Sequence, residues 1–208
     1  MIFDTHAHYD DEQFDEDRDE LLKSMSDLGV GTIVDVSATY ESCEKVLALA
    51  GKYPYVYAAI GVHPDEVGEL NEDKIQHMKE LCCNKKVVAV GEIGLDYYWD
   101  NEPHEVQQKW FIRQLKLAGE VKKPVIIHSR EAAADTMYIM KNYAQGLGGV
   151  IHCYSYSREM AEEYVKIGFY IGIGGVVTFK NAKKLKDVAA AIPIEKIVLE
   201  TDCPYMAP

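Results

Sequence analysis

The sequence has no long uninterrupted run of apolar residues. Glycine, histidine or a charged residue interrupts each hydrophobic run before it reaches the roughly 20 residues that a membrane-spanning helix needs. The N-terminus leads directly into a strand-like run that contains Asp4, which is not the pattern of a secretory signal peptide. These absences exclude a membrane-spanning protein, and we expect a cytoplasmic protein with no membrane partner.

The cysteines lack the spacing of a disulfide-rich protein. The chain has five cysteines, of which Cys82 and Cys83 are adjacent, and none of them forms a CxxC motif. This pattern excludes a secreted fold built on a disulfide framework.

Basic residues are fewer than acidic residues. The chain has 22 lysines and arginines against 34 aspartates and glutamates, which gives a formal net charge of −12. Broad, nonspecific binding of nucleic acid is therefore not expected, because a phosphate backbone is attracted to basic surfaces. A cationic cleft made by bound metal inside an acidic shell can still bind one phosphate or one strand end.

Potential metal ligands, by contrast, are numerous and follow a pattern. Five of the seven histidines, one glutamate and one aspartate stand at the ends of apolar, β-rich runs. Imidazole is the commonest metal ligand among side chains, and parallel strands bring their carboxyl ends to one edge. The pattern predicts a metalloenzyme whose site lies on that edge. The runs are MIFDTHAH, YAAIGVHP, VVAVGEIGLD, PVIIHSR, GVIHCYS and KIVLETDCP.

The spacing of strands and helices predicts an α/β protein with a TIM-type (β/α)8 barrel. Segments with helical spacing lie between most of the strand-like runs, over 17–28, 42–49, 106–118 and 181–192. A doubly wound open sheet is the alternative, but the first and last strands must approach if His6, His8 and Asp202 are to meet. The strand-like runs lie near 2–6, 32–36, 56–61, 87–91, 125–128, 149–152, 169–173 and 197–201.

We expect residues 1–208 to form a single metal-dependent hydrolase barrel domain. The chain stops at Pro208, soon after the eighth strand, so we expect the barrel to lack its last helix.

The residues at the strand ends also suggest how the ligands are shared. His6 and His8 are two apart in a strand, so their side chains point to the same face and can bind one ion together. Glu92 can bridge two ions, His128 and His152 come from consecutive strands and can share the second, and Asp202 completes the first. Two ions about 3.5–4 Å apart form a clamp for hydrolytic displacement at phosphorus or at a carbonyl.

With these motifs the chain resembles the TatD-type metal-dependent deoxyribonucleases, a branch of the amidohydrolase-like barrel proteins. The resemblance covers the whole chain in order, and what is absent is the family's segment after the TDxPY motif. The runs that carry it are FDTHAH, GVHP, GEIGLDYYWD, IHSR, HCYS, GGVVTFKNAKKL and LETDCPY.

The resemblance implies a hydrolase with two divalent ions (Mg, Mn or Zn) that cleaves phosphodiester bonds in DNA, as an exonuclease on single strands or strand ends. By that resemblance one ion is held by His6, His8, Glu92 and Asp202, and the other by Glu92, His128 and His152. A metal-bridging hydroxide would attack phosphorus while Asp202 accepts the proton of the water.

Two further residues are candidates for catalysis. His63 either orients the substrate and assists the leaving oxygen, or only hydrogen-bonds the loop before Pro64. Arg130 shares the parity of His128 and suits bidentate phosphate recognition, or else pairs with Glu131 or a nearby loop.

Aromatic and basic residues near the predicted edge have two interpretations. Tyr97, Tyr98 and Trp99 either stack a nucleobase or pack their own loop. Lys180 is a candidate phosphate contact, whereas helical spacing places most of Lys183, Lys184 and Lys186 on a solvated face. His77 and His104 lie outside the strand-like runs and are expected on the surface.

Two other functions remain open at this point. One is an amidohydrolase-like enzyme that cleaves an amide, ester or lactone with the same site, because fold and metal set do not fix the substrate. The other is a barrel that binds metal and a partner without turnover.

Overall fold

A sheet of eight parallel strands forms the centre of the molecule. The computed structural model describes residues 1–99 and 101–208, so the last residue of the GEIGLDYYWD run lies outside the described residues. The strands pair in chain order, whereas a doubly wound sheet reverses its strand order, and the TIM-type barrel is thereby confirmed. They are β1 (Ile2–Ala7), β2 (Val30–Val36), β3 (Val56–Ile60), β4 (Val87–Asp96), β5 (Val125–Arg130), β6 (Gly149–Ile151), β7 (Phe169–Ile173) and β8 (Ile197–Leu199).

Helices cover the outside of the sheet, and the four predicted ones are present with shifted ends. The first is shorter than the predicted 17–28, because the chain turns after residue 25 and reaches Gly29 at φ +83°. No helix in the described part of the chain is long and apolar enough to cross a membrane. The helices are α1 (Arg18–Ser24), α2 (Ser42–Lys52), α3 (Glu72–Leu81), α4 (His104–Val121), α5 (Ala133–Tyr143), α6 (Arg158–Lys166) and α7 (Lys183–Ala191).

Strand β4 differs most from its predicted range of 87–91. It continues to Asp96, with Gly94 opposite His128 and Asp96 opposite Arg130 in the ladder with β5. The predicted end was wrong because glycines interrupt the apolar run and resemble a strand end. The longer strand carries a second acidic residue to the same edge of the sheet as Glu92.

Burial of α4 against β4 illustrates how the helices pack. Trp110, Phe111 and Leu115 of α4 are buried, and the helix packs on β4 beside the edge that carries the predicted ligands.

Between β5 and β6 the backbones approach so closely that a Cβ on Gly149 would lie 2.0 Å from the Val125 carbonyl oxygen. Glycine is therefore required at that position.

The two ends of the barrel meet through side-chain and loop hydrogen bonds. Ladder pairing between β8 and β1 is absent from the described residues, but the Thr5 hydroxyl donates to the Leu199 carbonyl at 3.0 Å. The Thr201 hydroxyl donates to Asp4 at 2.7 Å, and the Asp202 amide donates to the His6 carbonyl at 2.9 Å. Residues 200–208 form turns and no helix. Closure thus brings Asp202 beside the HxH segment, as the predicted site requires.

Candidate metal centre

The six predicted metal ligands converge at the carboxyl ends of the strands. His6 lies in β1 and His8 follows it, Glu92 and His128 lie in β4 and β5, His152 follows β6, and Asp202 lies beyond β8. His6, His8, Glu92 and His152 are buried, while His128 and Asp202 are half-buried and face the opening.

Glu92 stands between the two histidine pairs. Its Oε2 lies 3.6 Å from His6 Nε2 and 4.0 Å from His8 Nε2. Its Oε1 lies 2.8 Å from His128 Nδ1 and 3.6 Å from His152 Nε2. Each carboxylate oxygen therefore faces its own pair of imidazoles, which is the arrangement of a carboxylate able to contact two ions.

Asp202 completes the side of the cluster opposite His128. Its Oδ1 lies 3.5 Å from His8 Nε2, 3.8 Å from His6 Nε2 and 3.9 Å from His152 Nε2. The His6 and His152 rings stack with centroids 3.5 Å apart, whereas those of His128 and His152 are 6.4 Å apart. His152 is thus shared between the two halves of the cluster.

Four compact groups of possible ligands follow from this placement. In each, the ligand atoms all lie within 4.8 Å of one another. The groups are His6, His8 and Glu92; His6, His152 and Asp202; His63, Glu92 and His128; and His63, Asp65 and Asp96.

Contacts with groups outside the set of six predicted ligands orient three of the histidines. His8 Nδ1 donates to the Val36 carbonyl at 2.8 Å, so that its Nε2 faces the cluster, 3.1 Å from His6 Nε2. His152 Nδ1 lies 3.2 Å from Glu200 Oε2, and among the described residues neither atom has a hydrogen-bond partner of good geometry. His128 Nε2 lies 2.9 Å from Asp96 Oδ2. Contacts of this kind fix the tautomer and the ring orientation of metal-ligating histidines.

Asp96 and Glu200 were not identified from the sequence. A usable signal exists, because Asp96 has the strand parity of Glu92 and Glu200 precedes Asp202 by two residues, directly after an apolar run. The side chain of Glu200 is fully buried, and its Oε1 accepts the Cys153 amide at 2.6 Å. A Cβ on Gly172 would lie 2.4 Å from Glu200 Oε2, so glycine in β7 makes the room for this carboxylate.

The neighbouring carboxylates raise the pKa of three of the histidines. Burial alone lowers the pKa of His8, but Asp202 and Glu92 outweigh it and raise the pKa to about 9. The same balance raises the pKa of His128 to about 9 through Asp96 and Glu92. For His152, Glu200 and Glu92 also raise the pKa to about 9. Without metal, these imidazoles are cationic at neutral pH.

The pKa values of Glu92 and His6 are lowered instead. Burial raises the pKa of Glu92, but the charge of His152 and the hydrogen bond with His128 outweigh it and hold the pKa well below its usual value. Burial and the charge of His152 lower the pKa of His6 well below 6.5. The cluster therefore combines a buried carboxylate with imidazoles, which in their neutral form complete a donor set suited to divalent metals.

His63 reaches the cluster from the loop after β3. Its ring centroid lies 4.3 Å from that of His128, and its Nδ1 accepts the Asp65 amide at 3.3 Å. Because Nδ1 is an acceptor, the proton of the neutral ring is on Nε2. Burial and the charge of His128 lower the pKa of His63 to about 3. His63 is thus a neutral imidazole beside the ligands.

Arg130 lies at the end of β5 against exposed aromatic side chains. Its guanidinium carbon is 3.8 Å from the Tyr98 ring centroid and 5.5 Å from that of Trp99. Tyr97 instead packs inward, because its ring stacks on His104 and its hydroxyl donates to Asp135. Lys180 is exposed in the loop after β7.

The two histidines outside the strand runs lie away from the cluster. His104 is exposed at the start of α4, as expected. His77 is half-buried, and its Nδ1 lies 2.8 Å from the Tyr40 hydroxyl. The expectation of a surface position was therefore only partly met for His77, because the aromatic ring of Tyr40 covers it.

Comparison with known proteins identifies the family. The sequence profile described as "TatD related DNase" matches residues 3–208. The chain is 43% identical over 209 residues to the uncharacterized metal-dependent hydrolase YabD of Bacillus subtilis, covering all of this chain and 82% of that protein. It is 32% identical to a protein named 3'-5' ssDNA/RNA exonuclease TatD of Cronobacter sakazakii, over all of this chain and 80% of that protein.

A solved structure agrees with these sequence matches. The crystal structure of the TatD homologue YjjV of Escherichia coli K12 superposes with a TM-score of 0.92 at 38% identity, over 99% of this chain and 80% of that one. From the profile match, the relatives and the shared fold, the chain belongs to the TatD-related DNase family of metal-dependent hydrolases.

Proposed function

We propose that this hydrolase cleaves phosphodiester bonds in single-stranded DNA, acting from a strand end and depending on two divalent ions. The observation that carries the proposal is the position of Glu92, whose two oxygens face different histidine pairs in a half-open cluster. The name of the Cronobacter sakazakii relative supports a nucleic-acid substrate.

The residues present fit a pair of metal ions. His6, His8, Glu92 and Asp202 would hold one ion, and Glu92, His128 and His152 would hold the other. The buried Glu92 carboxylate lies among four imidazoles, and the outer contacts of His8 and His152 engage their Nδ1 atoms, so that Nε2 of each faces the cluster. Bound divalent ions supply Lewis-acid neutralisation of phosphoryl charge and lower the pKa of water.

The protein's own groups have distinct roles in the proposed reaction. A carboxylate oxygen of Asp202 takes the proton of the attacking water, because this half-buried side chain lies on the open side of the cluster. The guanidinium of Arg130 binds the phosphoryl oxygens at the edge of the site. His63 donates a hydrogen bond from Nε2 to the leaving oxygen, a role that suits its neutral state.

The test compares the wild type with Asp202→Asn on end-labelled single-stranded DNA and on a panel of amides, esters and lactones. We expect stepwise shortening of the DNA by the wild type. The Asn amide can still coordinate through oxygen but cannot accept a proton, so turnover should fall by about 10²–10⁴-fold. Elemental analysis should show that much of the metal remains bound to the variant.

Asp187→Asn, on the exposed side of α7, is the matched control and should leave turnover unchanged. Near-normal kcat in Asp202→Asn would place the proton acceptor elsewhere. Hydrolysis of an amide, ester or lactone without any cleavage of DNA would replace the proposed substrate. Retained metal with no hydrolysis of any substrate would indicate a binding protein.

A further inference from the structure

The loop after β4 presents two aromatic rings next to the metal cluster. We propose that Tyr98, Trp99 and Arg130 form a stacking platform that binds the nucleobase of the nucleotide being cleaved. This inference rests on the proposed function and adds to it a binding site for the base.

The three consecutive aromatic residues of this loop are not equivalent. Tyr97 is fixed against the fold by its stacking on His104 and by its bond to Asp135. Tyr98 and Trp99 point outward, with 54% and 58% of their surfaces exposed, and their rings meet edge to face at 5.0 Å. The first ring therefore braces the loop, and the other two remain available to a ligand.

The platform is attached directly to the metal cluster. Asp96 Oδ1 accepts the amides of Tyr98 at 2.9 Å and of Trp99 at 3.2 Å, while Asp96 Oδ2 lies 2.9 Å from His128 Nε2. The Tyr97 amide donates to the Arg130 carbonyl at 2.9 Å, and buried Gln107 binds both the amide and the carbonyl of Asp96. One carboxylate thus fixes the exposed rings relative to a candidate metal ligand.

The chemistry of the platform selects a particular class of ligand. Exposed aromatic faces stack on planar rings, and base stacking on protein aromatics tolerates any base. The guanidinium of Arg130 lies over Tyr98 and adds a cation suited to phosphate. A ligand that combines a planar ring with a phosphate is a nucleotide, which can place its phosphate at the cluster and its base on the platform.

The experiment uses the tryptophan of the platform as the probe. The chain has two tryptophans, of which Trp99 is exposed and Trp110 is buried, so quenching by a bound base reports on Trp99. Metal-loaded Asp202→Asn protein is titrated with short single-stranded oligonucleotides, either intact or lacking the base of the first or the last nucleotide. We expect the intact strand to quench the fluorescence and one of the abasic strands to bind about ten-fold more weakly, with little quenching.

Substitutions distinguish stacking of a base on Tyr98 from the loss of any exposed aromatic side chain. Tyr98→Ala should weaken binding of the intact strand about ten-fold and of the abasic strand much less, and Tyr98→Phe should lose far less because it keeps the ring. Tyr138→Ala removes an exposed aromatic side chain of α5 and is the matched control, which should bind like the parent. Circular dichroism verifies that each variant is folded.

The outcomes distinguish this inference from the proposed function. Equal binding of intact and abasic strands, or equal effects of Tyr98→Ala and Tyr138→Ala, in a protein that still cleaves DNA would overturn the platform alone. Absence of both DNA binding and DNA cleavage would overturn the proposed function and the platform with it.

Discussion

At the scale of single residues, Glu92 has the most partners in the cluster. It is the one carboxylate within 4.0 Å of nitrogen atoms from His6, His8, His128 and His152 together, among the residues that the structure describes. A buried charge of this kind is tolerated because the surrounding imidazoles compensate it. Removal of the charge should therefore affect both halves of the proposed metal centre.

We predict that Glu92→Gln binds neither ion with wild-type affinity. Glutamine keeps the shape but offers one oxygen and one NH2 group, and the NH2 group cannot serve as a ligand. Elemental analysis of the dialysed protein should show a clear loss from the wild-type content, which we propose to be two ions per chain. Glu105→Gln on exposed α4 should retain the wild-type content. Full occupancy in Glu92→Gln would contradict the bridging role.

The sequence is informative about the ligands themselves because each follows an apolar run that predicts a strand. Strand parity and position after an apolar run could have marked Asp96 and Glu200 as acidic residues of the site, but their roles depend on contacts with His128 and His152 from other strands. The direction in which Arg130 points, toward Tyr98 rather than toward Glu131, also depends on the ladder between β4 and β5.

At the scale of secondary-structure elements, one carboxylate connects three neighbouring strand ends. Glu200 follows β8, fills the space left by Gly172 in β7, and reaches His152 and the Cys153 amide after β6. Glu200 belongs to none of the four groups of possible ligands, so its expected effect is to position His152.

We predict that Glu200→Gln lowers metal affinity by about 10–100-fold while the metal-free protein stays folded. The loss of negative charge should also lower the pKa of His152 from about 9 toward its ordinary value. Competition with a chelator measures the affinity, and NMR of the metal-free protein measures the pKa. Exposed Glu195→Gln serves as the control. An unchanged affinity together with an unchanged pKa of His152 would show that Glu200 is only a packing residue.

The helices show where sequence patterns are weak. The helices α3, α5 and α6 were not identified from the sequence. In α3 and α6 the two buried residues, Ile75 and Met78 in the first and Ala161 and Tyr164 in the second, stand among charged residues. The starts of α3 and α6 are nonetheless encoded in the sequence, since Asn71 and Ser157 accept backbone amides as N-caps.

At the scale of the whole molecule, the cluster couples metal binding to protons. In the metal-free protein His8, His128 and His152 have pKa values of about 9, so each carries a proton below that pH. A metal binds only the neutral imidazole, and binding must therefore expel these protons. The apparent metal affinity should fall as the pH is lowered below about 9 and level off above it.

We predict that metal binding near pH 7.5 releases protons, up to one from each of these three histidines. Calorimetric titrations in buffers with different ionisation enthalpies measure the number released. Repetition well above pH 9, where the imidazoles are already neutral, provides the control and should show far less release. Proton release that is close to zero near pH 7.5 would show that the histidines are neutral in the metal-free protein.

The contacts between β1 and β8 have a consequence for folding during synthesis. The side chains around Glu92 come from both ends of the described chain, and β1 and β8 are joined by loop and side-chain bonds rather than by a ladder. Of the proposed ligands, His6 and His8 are synthesised first and Asp202 last. A nascent chain that has not yet produced β8 lacks one wall of the centre, so the full ligand set exists only after the ring has closed. Binding of metal by the full ligand set would thus report that the segment after β8 has joined β1.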